Sequence, residues 1–232
     1  MTEDKDIQRL REEYRSRETR LKESDIYALS NPAHLFMIQQ RERAILKLLR
    51  KKGLEFLVEK QILEIGCGKG TVLLDFVRQG ADPERLWGVD LLVDRLGEAK
   101  HHLPSSQFTN ADGQFLPFPE SSFDMILQFT AFSSVLDPKI KQQMAGEILR
   151  VLKSDGVILW YDFWLNPTNP QTAGIRLKEI RRLFLDCDLT IRKITLAPPI
   201  ARRIAPCSRV LAMILETLTV FNSHYLVLIQ KR

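Results

Sequence analysis

Apolar residues along this chain change their spacing several times, and each change marks an element. The first 24 residues hold single apolar positions among charges, a pattern that predicts a mobile or loosely helical arm. A turn at Ser30, Asn31 and Pro32 then leads into a long helix with Leu35, Ile38, Ile45, Leu48 and Leu49 apolar and Gly53 as its stop. A short apolar strand is predicted at 61–65, an amphipathic helix at about 71–80, a strand through "RLWGVDLL" that ends at Asp90, and a helix through "VDRLGEAKHHL". Further on, "SSQFTNADG" supplies a third strand, "FDMILQF" a fourth, "IKQQMAGEILRVL" a helix and "GVILWYDF" a fifth strand. Strands alternating with helices predict a parallel, doubly wound sheet. The last quarter is patterned differently. There "TAGIRLKEIRRLFLDCD" reads as a helix, "LTIRKITLA" as a strand, "PPIARRIAPCSRVLAMILETLTVF" as a Pro-punctuated apolar helical segment, and "HYLVLIQK" as a terminal strand. The count is seven strands.

Composition changes this picture little. A chain of 232 residues with 44% hydrophobic content suits one α/β core better than two. Cys67, Cys187 and Cys207 are widely spaced, with no paired Cys or Cys/His cluster of metal-ligand spacing, so free thiols and no metal site are expected. The N-terminal stretch is too charged for a signal peptide, and no apolar run approaches the roughly 18 residues of a membrane span, which leads to the expectation of a cytoplasmic protein. Charge is uneven: residues 1–60 carry 14 Lys/Arg against 11 Asp/Glu, residues 61–165 carry 9 against 14, and residues 166–232 carry 11 against 4. The basic last third is either an ordinary solvated face or a surface that favours an anionic substrate or partner.

Candidate chemistry begins at "ILEIGCGKG", where Gly66, Gly68 and Gly70 alternate in a strand-to-helix turn. Such a turn points backbone N–H groups and a helix N-terminus at a ligand, and glycine leaves room for close approach. The dinucleotide version would place its third glycine at position 71, which is threonine here. Twenty residues on, Asp90 ends a strand, where a carboxylate can accept the ribose hydroxyls of a nucleoside.

The spacing of Glu64, Gly66, Gly68 and Gly70, with Asp90, Asp112-Gly113 and the fourth-strand exit at Gln128 following in order, resembles the class I S-adenosylmethionine-dependent methyltransferases, their type 11 branch in particular. The resemblance is strong over about 61–165 and weak elsewhere. It implies a Rossmann-like sheet whose seventh strand inserts antiparallel beside the fifth, and S-adenosylmethionine as cofactor. It also implies cofactor contacts from Glu64, Gly66, Cys67, Gly68, Gly70, Asp90, Leu91, Asp112, Gly113 and Gln128, with Asp112 near the adenine amine. The domain reading is a helical arm and cap over 1–55, then a methyltransferase domain over 56–232 with a lid insertion at about 166–221.

The proton acceptor is less defined. Many relatives carry a histidine pair after the fourth strand, where this chain has Ser133 and Ser134, so no base is transferred to that place. His34, Tyr161, Asp162 and His224 remain, and each has a structural alternative as a capping, core, turn or strand-end residue. The loop of amino methylases, the Pro-Cys nucleophile of cytosine C5 methylases after strand four, and the paired glutamates of arginine methylases are absent. The expected function is methyl transfer to oxygen on a small-molecule or glycan-like acceptor, anionic acceptors included. An RNA-modifying enzyme and a non-catalytic S-adenosylmethionine-binding protein are the alternatives. The late helix with Leu211, Ile214, Leu215 and Leu218 is a packed helix, a wall of the acceptor pocket or, given Arg202, Arg203 and Arg209, a membrane-surface element.

Overall fold

The computed structural model describes residues 5–21, 25–166, 169 and 171–232. Seven strands form one sheet: β1 (Ile62–Ile65), β2 (Leu86–Asp90), β3 (Gln107–Asn110), β4 (Phe123–Phe129), β5 (Leu152–Phe163), β6 (Cys187–Leu196) and β7 (Asn222–Lys231). Their order is β3-β2-β1-β4-β5-β7-β6. Strands β1 to β5 run parallel, and β7 enters antiparallel between β5 and β6. The helices are α1 (Lys5–Leu21), α2 (Pro32–Lys51), α3 (Thr71–Arg78), α4 (Val93–His102), α5 (Pro138–Val151), α6 (Leu177–Leu183), α7 (Pro198–Ile204) and α8 (Arg209–Thr217).

Alternation within each strand splits the core into two layers. Leu63, Ile65, Ile126, Ile158, Trp160, Val227 and Ile229 point to the face covered by α5 and α6, whereas Ile62, Met125, Leu127, Leu159, Tyr161 and Leu228 point to the face covered by α2, α3 and α4. A parallel sheet needs both faces covered, because the crossover helices lie on each side. The chain leaves β1 toward β2 and returns to β4 on the other flank, so a crevice opens at the carboxyl ends of β1 and β4.

Three segments differ from their expected form. The charged arm is an ordered helix: Ile7, Leu10 and Tyr14, at i, i+3 and i+7, make a narrow stripe that packs on the sheet, with Ile7 and Leu10 buried. Isolated apolar residues among charges were enough, since the stripe needs one residue per turn. Helix α6 is shorter than expected because the chain before it runs extended: Ile175 N–H donates to Phe163 O at 2.7 Å, and a side chain at Gly174 would strike the Trp164 carbonyl. Finally, the stretch expected to be a lid supplies edge strand β6 and the helices α7 and α8, which pack through Ala201, Ala205 and Ala212 onto Phe36 of α2 and Leu196 of β6.

Candidate active site

Strand β1 ends in a turn whose first two amides are used structurally, Gly66 N–H and Cys67 N–H both donating to Val89 O at 2.8 and 3.0 Å. That fixes the turn against the end of β2. Gly66 and Gly68 have φ of 70° and 53°, values that L side chains rarely adopt, so the turn requires glycine there. A Cβ at Gly66 would lie 3.0 Å from the Ala131 side chain, and one at Gly68 would lie 2.9 Å from the Arg95 guanidinium. Gly70, also left-handed, is the N-cap of α3.

Asp90 closes the turn from the other side. One carboxylate oxygen accepts from Gly68 N–H at 2.8 Å and the other from Leu92 N–H at 2.9 Å. Each oxygen retains a lone pair for another donor. The Arg95 guanidinium stands 3.9 Å from Asp90 and 5.1 Å from the centre of the Tyr14 ring of α1. Asp112 accepts from Gln114 through its backbone and side-chain amides, at 2.9 and 3.0 Å, and Gly113 sits against Met144 and Ile65.

These groups line one cavity of ≈ 970 Å³ that also takes in parts of α1, α2 and α3. Glu64 lies on its floor, buried, with Oε2 lacking a hydrogen-bond partner. Burial raises the Glu64 carboxyl well above its ordinary value, while the Arg41 charge opposes that rise. Burial likewise pushes the Cys67 thiol up, so this cysteine is an inert small wall residue.

Of the residues expected to meet the cofactor, Glu64, Gly66, Cys67, Gly68, Asp90, Leu91, Asp112 and Gly113 share this cavity wall. Gly70 lies behind it against Ala99. Gln128 is elsewhere: fully buried, it donates to Asp162 Oδ2 at 2.7 Å and does not line the cavity.

The four proton-acceptor candidates also separate. Asp162 is turned inward, accepting from Gln128, Ser133 N–H and its own neighbour Phe163 N–H; burial is the largest influence on it and raises its carboxyl. His224 is buried beneath Tyr161, their rings stacked at 4.6 Å and 5°, with burial and the Arg41 charge lowering its pKa to about 3. Tyr161 lines the cavity, yet its hydroxyl pairs with Thr195 Oγ1 at 2.9 Å, and burial pushes its pKa up to about 12. His34 lines the outer end, half-buried, edge-on to the Tyr27 ring. Burial first, then the charges of Arg41 and Arg202, lower its pKa below the usual imidazole range, so its ring is neutral at pH 7.

Ser134 faces the cavity and Ser133 does not. Ser134 Oγ meets the Tyr14 hydroxyl at 2.9 Å and its carbonyl accepts from Arg9 at 2.6 Å. Thr130, at the exit of β4, lines the cavity with φ of 59°, a strained value for a β-branched residue and one that often accompanies functional turns. The late segment supplies no lining residue among those described, and it acts on the wall from outside, through Thr195 on Tyr161 and the Arg202 charge on His34.

Residues 62–156 match the family model described as a methyltransferase domain. A phthiotriol/phenolphthiotriol dimycocerosates methyltransferase of Mycobacterium ulcerans is 33% identical over 138 residues, which is 56% of this chain and 49% of that protein. A fatty-acid O-methyltransferase of Mycolicibacterium smegmatis is 32% identical over 105 residues, 44% of this chain and 37% of that protein. The chain thus spans about half the length, or less, of these curated relatives. A crystal structure of a SAM-dependent methyltransferase from Archaeoglobus fulgidus superposes with a TM-score of 0.58 at 16% identity, covering 85% of this chain and 98% of that one. Residues 62–156 thus match a methyltransferase domain and the sheet has the fold of the S-adenosylmethionine-dependent methyltransferases, which supports S-adenosylmethionine as the cofactor.

The site suits that cofactor on its own geometry. The side-chain-free turn, the spare lone pairs of Asp90 and the orphaned buried oxygen of Glu64 offer a nucleoside cradle and an acceptor for an N–H-bearing group. Sequence reasoning missed Arg95, Tyr14, Arg41, Glu42 and Asp75, all on the cavity wall. The only local signal for Tyr14 was its spacing from Ile7 and Leu10.

Proposed function

We propose that this chain transfers a methyl group from S-adenosylmethionine to an oxygen of an apolar, lipid-like small molecule. The observation that carries the reading is the continuity of the cavity. It runs from the glycine turn and Asp90 to Leu29, Leu35, Ile38, Leu74 and Phe129, with His34 and the Arg41–Asp75 ion pair among them. These apolar positions reward an apolar acceptor body, with the charged groups beside them available to a polar head, which fits the lipid substrates named for the relatives better than a glycan does.

S-adenosylmethionine, when bound, supplies an electrophilic methyl group on a sulfonium. The chain's own residues then position, exclude and receive. Asp90, Gly66 and Gly68 hold the nucleoside end, and Glu64 with its unpaired oxygen holds the amino-acid end. Helix α1 shuts water out through Ile7, Leu10 and Tyr14. Fixing two reactants at contact distance can contribute about 7 kcal/mol or more to lowering the barrier. Neutral His34 Nδ1 or Nε2 takes the hydroxyl proton, a role worth roughly 10² to 10⁴ in rate.

The test is a labelled-methyl transfer screen with hydroxylated fatty acids, free fatty acids, phenols, sugars and RNA. Label in the apolar hydroxyl or carboxyl compounds is expected. Label confined to sugars or RNA would overturn the acceptor class, and S-adenosylmethionine binding with no transfer to any class would make the chain a binding protein.

A further inference from the structure

Helices α7 and α8 leave a surface that the cavity does not use. Between Arg202 and Phe221 the chain exposes Val210, Leu211, Met213, Ile214, Leu218, Val220 and Phe221, with Val210 and Val220 each about 70% accessible. Ala212 and the half-buried Leu215 face inward toward α2 and β6, so α8 spends its smallest apolar residue on the core and turns its larger ones outward. That is the reverse of a surface helix that packs for stability. Seven large apolar side chains within a dozen residues are a patch of the kind that marks an interaction site.

The charges around the patch have one sign. Arg202, Arg203 and Arg209 are exposed at its start, and the single carboxylate of residues 197–221, Glu216, is half-buried and accepts from Thr195 N–H at 3.2 Å. Arg43 of α2 is the cation that acts on Glu216. The patch also adjoins the outer cavity. Arg209 donates to Gln39, a cavity residue, and the Arg202 charge is felt by His34. Exposed Ile26, Tyr27 and Leu29 precede α2, and Tyr27 and Leu29 belong to the same cavity end.

We propose that α7, α8 and the segment through Phe221 form a docking face for an anionic lipid bilayer, setting the outer end of the cavity toward the membrane so that an apolar acceptor can enter from it. The orientation part rests on the lipid-acceptor reading; the docking part does not. An apolar strip flanked by arginines suits the boundary between headgroups and acyl chains, where the strip sinks and the guanidinium groups meet phosphates. A second copy of the chain fits this face less well, because a two-fold contact through it would gather the arginines of both copies with only the half-buried Glu216 of each to offset them.

The experiment uses the full chain and sedimentation with vesicles of phosphatidylcholine alone or mixed with phosphatidylglycerol, at low and high salt. Binding to the anionic vesicles, at least tenfold tighter than to neutral ones and weakened by salt, is expected. Ile214→Glu with Val220→Glu should lower vesicle binding at least tenfold, and Arg202→Glu with Arg203→Glu should remove the anionic preference. Both double variants change exposed positions and should keep S-adenosylmethionine affinity, and Ile214→Glu with Val220→Glu should also keep vesicle-free transfer to a short-chain acceptor. Absence of vesicle binding by the parent chain overturns the docking face even where soluble apolar acceptors are methylated. Vesicle binding without methylation of any apolar acceptor keeps the docking face and overturns the acceptor reading instead. A dimer that Ile214→Glu dissociates, in a chain that ignores vesicles, gives the face to a second copy and overturns the proposal.

Discussion

The two ends of the cavity are built in different ways. The inner end comes from one stretch of chain, residues 64–113, and is defined by backbone: positive-φ glycines, amides directed to Val89 O, and a carboxylate fastened by two N–H groups. The outer end is assembled from side chains on α2, the turn before it, α3 and the ends of β4 and β5. Backbone geometry tolerates few substitutions and selects one ligand shape, whereas a wall of separate side chains can be retuned one residue at a time. On the proposed reading, cofactor identity is held by the part that cannot vary, and acceptor identity by the part that can.

Substitutions should divide along the same line. The largest effect is expected from Gly68→Val, which forces a β-branched residue to φ of 53° against Arg95. S-adenosylmethionine binding by calorimetry should be lost while circular dichroism keeps the native signal, and retained affinity would detach the turn from the cofactor. His34→Gln should lower turnover by roughly 10² to 10⁴ with cofactor affinity unchanged. Because the depressed pKa makes the neutral ring the working form, parent activity should persist as pH falls through 7 and drop only below about 6.5, the ordinary imidazole value. A profile with no acid limb at any pH where the chain stays folded would remove His34 from the proton path.

Asp90→Ala should weaken cofactor binding by about 1 to 3 kcal/mol, part of it through the freed amides of Gly68 and Leu92. Equal affinity in parent and variant would place the ribose elsewhere. Stability offers a subtler contrast through His224, whose folded pKa of about 3 lies below its unfolded value near 6.5. Above pH 6.5 both states are neutral; below it the unfolded chain takes up a proton that the native core refuses. Stability should then fall with pH by up to about 1.4 kcal/mol per unit from this group, and His224→Phe should flatten that slope in denaturant titrations between pH 6.5 and 4.5. The smallest effect is expected for Tyr14→Phe, which loses the contact with Ser134 Oγ and should cost about 1 kcal/mol in cofactor retention.

Legibility in the sequence follows the same division. The turn from Glu64 to Gly70, the strand ending at Asp90 and the turn at Asp112 could be read because each constraint is local, a left-handed φ or a strand end. The sheet order followed once those elements resembled a known fold. Gln128 could not be placed by counting, because strand parity decides its face: Leu127 and Phe129 turn to the α2 side, and Gln128 goes with Ile126 and Trp160 toward Asp162. The N-terminal helix was hidden because three apolar residues among charges carry little periodic signal until a sheet is there to receive them. Helix α8 was ambiguous for the opposite reason. Its apolar residues are numerous, and only the packing of Ala212 tells which side faces in.

Helix α1 reaches the loop after β4 at several points: Asp6 accepts from Leu136 and Asp137 N–H, Arg9 donates to Ser134 O, and Tyr14 meets Ser134 Oγ. Arg9 also donates to Gln171 O and Oε1, and Ile7 and Leu10 are buried against the sheet, so the loop after β4 is one of several anchors of this wall. We predict that spent cofactor leaves past this wall, so that its opening limits turnover wherever the methyl step is faster. Rapid-quench kinetics would show this as a burst of methylated product followed by a slower steady rate, and Arg9→Ala should quicken the slow phase while leaving the burst as it was.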